Sequence, residues 1–113
     1  AHPLLVGLWY VAHIARGQSI GMQEETWREV KQQLLVGSMI EGRVIRHEAY
    51  GVFVDIGLEC EGLIQIVDIS DDRPVTPEDY PPIGTRVVAR VLGFKENNRQ
   101  VHLGIKPSQL PAD

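Results

Sequence analysis

From Ser38 onward the apolar residues recur with the two-residue period of β-strands, in short runs separated by glycine, proline and asparagine. Successive side chains in a strand point to opposite faces, so each run buries one face and leaves a hydrogen-bonding edge that needs a partner. Residues 40–47 read as the first strand, 51–56 as the second and 62–66 as the third. Residues 68–82 hold four prolines and many acids, which predicts a loop with one helical turn. Residues 86–94 form a valine-rich fourth strand, residues 96–98 (Glu-Asn-Asn) a turn, and residues 100–105 a fifth strand. Five short antiparallel strands with one longer connection, between the third and the fourth, predict a closed or nearly closed barrel. Gly42, inside the first strand, marks a place where a barrel strand coils sharply. Gly51 opens a strand, Gly57 and Gly62 bracket a turn, and Gly84 precedes the fourth strand. The sequence contains neither G-x-x-x-x-G-K nor G-x-G-x-x-G, so these glycines build no phosphate-cradling loop.

Upstream of the strands the period changes. Trp27, Val30 and Leu34 stand at i, i+3 and i+7, Glu24 and Glu25 suit the positive end of a helix dipole, and Gly37 follows as a stop. A helix is expected over residues 23–35, with its apolar stripe as a packing face. Residues 4–14 form an apolar run too short to span a bilayer, which takes about 20 residues. No basic cluster precedes the run, so a secretory signal fits poorly. Met22 is the expected natural start, with residues 1–21 a vector-derived or upstream extension. The competing expectation is a genuine helix that packs on the barrel or on a partner. The organisation expected is thus an extension (1–21), a helical segment (22–35), a barrel domain (36–108) and a short tail (109–113) that reads as a natural end.

The 113 residues suit one domain. A single cysteine, Cys60, excludes an intrachain disulfide framework and agrees with a reducing cytoplasm; it reads as a small, half-buried hydrophobe. The formal net charge of −4 argues against a general polyanion binder, yet the charges are uneven. Asp55, Glu59, Glu61, Asp68, Asp71, Asp72, Glu78 and Asp79 crowd one stretch, with Arg73 the only base among them. Arg86, Arg90, Lys95, Arg99 and Lys106 dominate the next. One acidic and one basic side still permit a polyanion on the basic side.

The strand order carries a recognisable set of residues. Gly37, Ile40, Gly42 and Val44 are followed by Tyr50-Gly51-Val52-Phe53-Val54-Asp55-Ile56-Gly57. Then come Glu61-Gly62-Leu63-Ile64-Gln65-Ile66, Gly84, the run 87–92, and Asn98-Arg99-Gln100-Val101-His102-Leu103-Gly104-Ile105-Lys106. This pattern resembles the S1 RNA-binding domain, found in the ribosomal protein, in polynucleotide phosphorylase and in other translation and RNA-decay proteins. The resemblance implies a mainly β, five-stranded antiparallel OB-fold barrel with a short N-terminal helix. It implies an RNA surface on the second and third strands, with the family aromatics at Tyr50 and Phe53.

Exposed rings stack on any base, so they hold single strands with little sequence preference. Strand parity places Val52, Val54 and Ile56 in the core and leaves Phe53 free for a ligand; the alternative is that Tyr50 and Phe53 pack on each other and on the rim. The basic family position falls on Arg99, with Gln100 as the alternative match. Arg43, Arg46, His47 and Lys95 are further candidates for the same surface. Gln65 stands where the family often has histidine and can still hydrogen-bond a base or ribose. Lys95, His47 and Val67 replace a usual acid, an aliphatic residue and a serine, which puts particular base contacts in doubt.

Two functions compete. One is sequence-tolerant binding of single-stranded RNA in translation or RNA turnover. The other is docking to the ribosome or another RNA-machinery protein through the acidic stretch. Catalysis is not expected: His2, His13, His47 and His102 lack metal-ligand spacing, and Asp71 and Asp72 sit in a solvated loop. No cofactor and no membrane partner are implied.

Overall fold

The computed structural model describes residues 22–111. One α-helix, α1 (Glu24–Gln33), precedes five strands: β1 (Met39–Glu48), β2 (Gly51–Asp55), β3 (Glu61–Gln65), β4 (Arg86–Lys95) and β5 (Gln100–Gly104). Short 3-10 turns lie at Ile66–Asp68, Pro77–Asp79 and Pro107–Gln109, so the connection between β3 and β4 holds two turns where one was expected. The sheet is a closed barrel in the order β1-β2-β3-β5-β4. Residues 1–21, with the expectations attached to them, lie outside the described residues, as does the end of the tail.

Four pairings are antiparallel, and β3 with β5 is parallel. The expected five-stranded antiparallel barrel is observed, and one parallel pair closes it. Strand direction cannot alternate around a ring of five neighbours, so one pairing must be parallel. The long crossover through β4 is what allows β3 and β5 to point the same way.

Alternation fills the barrel. Val44, Val52, Val54, Ile64, Ala89, Val91, Val101 and Leu103 point inward and are buried, and Cys60 joins the same core. Gly42 is required by that crowding. A Cβ there would stand 2.5 Å from Val54 Cγ1 and 2.6 Å from the Asp55 carbonyl oxygen.

The helix packs on the barrel beside the β4–β5 turn. Trp27 and Val30 are buried and Leu34 packs beside them, which is the stripe read from the sequence. Burying a side chain such as Val30 contributes about 1.5–3 kcal/mol. The Trp27 ring meets Phe94 edge-on at 5.9 Å, and its indole N–H donates to Glu96 at 2.9 Å. Lys31 donates to the other oxygen of Glu96, also at 2.9 Å. The helix ends at Gln33, earlier than expected, because the next residues are drawn into the sheet. The Gly37 N–H donates to the Val91 carbonyl at 2.7 Å, and the Val91 N–H to the Ser38 carbonyl at 2.8 Å. Gly37 takes φ +95°, a left-handed turn that glycine adopts without strain.

Candidate nucleic-acid interface

The outer face of β2 and β3 is shaped by a bulge. The register of β1 against β2 slips between Val44 and Arg46, so Ile45 is an extra residue. Val44 faces the core opposite Val54, and strict alternation would send residue 46 inward as well. The extra residue instead turns Arg46 outward, directly opposite Phe53. A second slip, between Val91 and Gly93, brings Gly93 beside His102. One row of partners therefore crosses the outside of the barrel in the order Arg46, Phe53, Leu63, His102 and Gly93.

Phe53 lies on that outer face, as parity predicts, but it is not free to meet a ligand. Only 2% of it is exposed. Tyr50 covers one side edge-on, with ring centroids 5.9 Å apart and planes at 89°. The Arg46 guanidinium covers it at 4.1 Å from the ring centroid. The expectation of an exposed Phe53 fails because alternation decides which face a side chain takes, and not what its neighbours do on that face. Tyr50 is the exposed ring of the pair, at 55%. It sits at the exit of the β1–β2 turn. There the Tyr80 hydroxyl is within hydrogen-bond distance of the Glu48 and Ala49 carbonyls, 2.8 and 3.2 Å away. Burial raises the Tyr80 pKa above the usual phenol value. Gln65 ends β3 opposite Gly51, and the Ile66 N–H donates to the Tyr50 carbonyl at 2.8 Å, so Gln65 and Tyr50 stand at the same end of the β2–β3 ladder.

Arg46 is held at its edges. Its Nε donates to Glu48 at 3.2 Å, and its two terminal nitrogens donate to Glu61 at 3.2 and 3.4 Å. The hydrogen bond to Glu61 is the main cause that raises the Arg46 pKa beyond its ordinary value. Tyr50, Phe53, Arg46 and Gln65 are thus brought together.

Other expected contacts lie elsewhere. His47 faces the Tyr80 ring at 5.1 Å and its Nε2 stands 2.8 Å from the Pro81 carbonyl. The bulge is the reason: turning Arg46 outward leaves His47 opposite the core residue Val52. Arg99 lies just before β5, and β5 runs parallel to β3. It therefore sits the length of the strands away from Tyr50, where its guanidinium donates to the Met22 carbonyl. Lys95 pairs with Gln100 at that same far end. Arg43 pairs with Asp55, donates to the Gly84 carbonyl at 3.0 Å, and lines a shallow cleft with Glu41 and Arg86.

Several residues that shape this face were not singled out from sequence. Leu63 continues the covered row beside Phe53 and is buried on its outer side. His102 Nε2 lies 2.8 Å from Asp68, whose other oxygen accepts from the Gln109 amide at 3.0 Å. The alternation Val101-His102-Leu103 shows His102 to be outward-facing, but nothing local pairs it with a residue 34 positions away. The acidic stretch is also less available than its composition suggests. Asp68 is buried. Asp71 accepts from the Ser108 backbone and hydroxyl at 2.8 and 2.6 Å, and Asp79 caps Thr76 and pairs with Arg73. Among the described residues no group of three or more histidines, cysteines and carboxylates is placed to hold a metal ion, and no helix is long and apolar enough to cross a membrane.

Comparison with known proteins agrees with this fold. The family described as the S1 RNA binding domain matches residues 34–106. A small ribosomal subunit protein bS1 of Helicobacter pylori is 33% identical over 84 residues, covering 74% of this chain and 15% of that protein. A 4-hydroxy-3-methylbut-2-enyl diphosphate reductase of Clostridium acetobutylicum is 31% identical over 85 residues, covering 75% of this chain and 13% of the enzyme. The solution structure of GSP13 from Bacillus subtilis superposes with a TM-score of 0.61 at 28% identity, covering 71% of this chain and 62% of that one. The chain spans a small part of the length of these curated relatives.

Proposed function

The chain belongs to the S1 RNA-binding domain family, and on that premise we propose that it binds single-stranded RNA with little sequence preference, as a module of the translation or RNA-processing machinery. The observation that carries this reading is the Tyr50 ring, exposed at the mouth of β2 and propped edge-on against a buried Phe53. An exposed, braced aromatic side chain offers a π-face that any base can stack on, worth roughly 1–3 kcal/mol per base. Gln65, at the same end of the β2–β3 ladder, adds a donor and an acceptor for a base or ribose. The protein's role is to hold the strand and not to transform it. Cytoplasmic partners such as the ribosome or an RNA-processing complex fit the same reading.

Docking through the acidic stretch is the weaker reading, because Asp68, Asp71 and Asp79 are already engaged within the domain. The test is fluorescence anisotropy of a labelled single-stranded RNA of about ten nucleotides, a length within the usual site size of such barrels. Binding should saturate, weaken with salt, and fall about fivefold or more in Tyr50→Ala, as expected for one lost stacked base. Failure of the folded wild type to bind at low salt refutes the proposal.

A further inference from the structure

We propose that Arg46 is a second base-stacking platform, reading a nucleobase with the outer face of its guanidinium and making no phosphate contact. The inference rests on the RNA reading above and deepens it. A guanidinium can recognise RNA in two ways: its edge forms a fork for a phosphate, and its flat face stacks on a base.

Three of the five N–H donors along its edge are already engaged. Nε is committed to Glu48, and both terminal nitrogens are committed to Glu61. Two carboxylates around one cation leave the spot locally negative, which disfavours a phosphate. One face of the plane lies over the Phe53 ring at 4.1 Å. Yet 45% of the side chain remains exposed, and the base is placed on the face opposite Phe53. The three layers, ring below, guanidinium above and solvent outside, form half of a stack that a base completes. Tyr50 contacts the same Phe53 ring from a second side. Both platforms therefore share one buried support. The carboxylates hold the plane before any ligand arrives, so little side-chain entropy is lost on binding.

The experiment compares wild type, Arg46→Ala and Arg46→Lys, each checked by thermal melting for a folded barrel. The probes are a labelled decamer of adenosines and the same decamer with abasic sites in place of its central bases, titrated at several salt concentrations. Both substitutions should weaken binding to the base-bearing decamer about fivefold or more. They should leave the salt slope unchanged and have little effect on the abasic decamer. Lysine keeps the charge but has no flat face, so it should fail to rescue. Retention of wild-type affinity in Arg46→Lys, or a salt slope reduced by about 0.7 in Arg46→Ala, makes Arg46 a phosphate contact and overturns the proposal. Tyr50-dependent binding that is indifferent to both Arg46 substitutions also overturns it while sparing the RNA reading. Absence of any wild-type binding refutes the two together.

Discussion

Replacing Phe53 with alanine tests whether its ring supports the site or meets the ligand. The ring is 98% hidden yet lies outside the barrel core, under Tyr50, Arg46 and Leu63. Phenylalanine-to-alanine changes at buried sites cost about 3–5 kcal/mol, and the spread reflects how far the surroundings collapse into the space. Here two of the covering groups, Tyr50 and Arg46, are surface side chains able to settle inward. That places the expected loss near the lower end, about 3 kcal/mol. The figure includes about 0.5–1.5 kcal/mol for the edge-on aromatic pair and about 0.5–1 kcal/mol for the cation over the ring. For a domain of this size each kcal/mol lowers Tm by about 4–8 °C, so Phe53→Ala should melt roughly 12–24 °C lower. Urea unfolding followed by tryptophan fluorescence and far-UV circular dichroism measures the loss directly. Tyr50→Ala, at a half-exposed ring, should cost less than half as much. A Phe53→Ala loss below about 1 kcal/mol, at or under that of Tyr50→Ala, would refute the reasoning and restore Phe53 as a solvent-facing ligand contact.

Three further outcomes follow from the same contacts. Gly42→Ala should destabilise by about 1–3 kcal/mol, because its Cβ meets the Asp55 backbone, which cannot yield like a side-chain tip; unchanged thermal stability would contradict the close approach. Tyr80→Phe removes the hydroxyl that ties down the β1–β2 turn. It should cost about 1 kcal/mol in denaturant titration and weaken RNA binding through a looser Tyr50. Hydrogen bonds from Ser108 hold the Asp71 carboxyl below its usual pKa, those from Thr76 and then Arg73 do the same for Asp79, and those from Trp27 and then Lys31 for Glu96. A depressed folded-state pKa contributes stability above the unfolded value, near 4, and that stability is lost as pH falls through the folded value. The urea midpoint should thus hold steady from pH 7 to about 5 and fall below about 4, with a smaller fall in Asp71→Asn; an equal fall in that variant would exclude Asp71 as a contributor.

Much of this protein is determined locally. The alternation of Val52, Val54 and Ile56 and of Val101 and Leu103 sets which faces are buried. The spacing of Trp27, Val30 and Leu34 defines the inner face of the helix. These depend only on the periods of strand and helix, which one stretch of chain contains by itself. The tertiary structure decided what depends on register and on long-range neighbours. One extra residue at Ile45 reverses the facing of Arg46 and His47, and no local signal marks it, because a bulge is chosen by how two strands pair. The parallel pairing of β3 with β5 follows from closing an odd ring. The covering of Phe53 by Arg46, with Glu48 and Glu61 at its edges, brings together residues from three strands. The removal of Arg99 to the far end follows from the direction of β5. A sequence specifies the face on which each side chain stands; only the closed barrel decides which side chains share it.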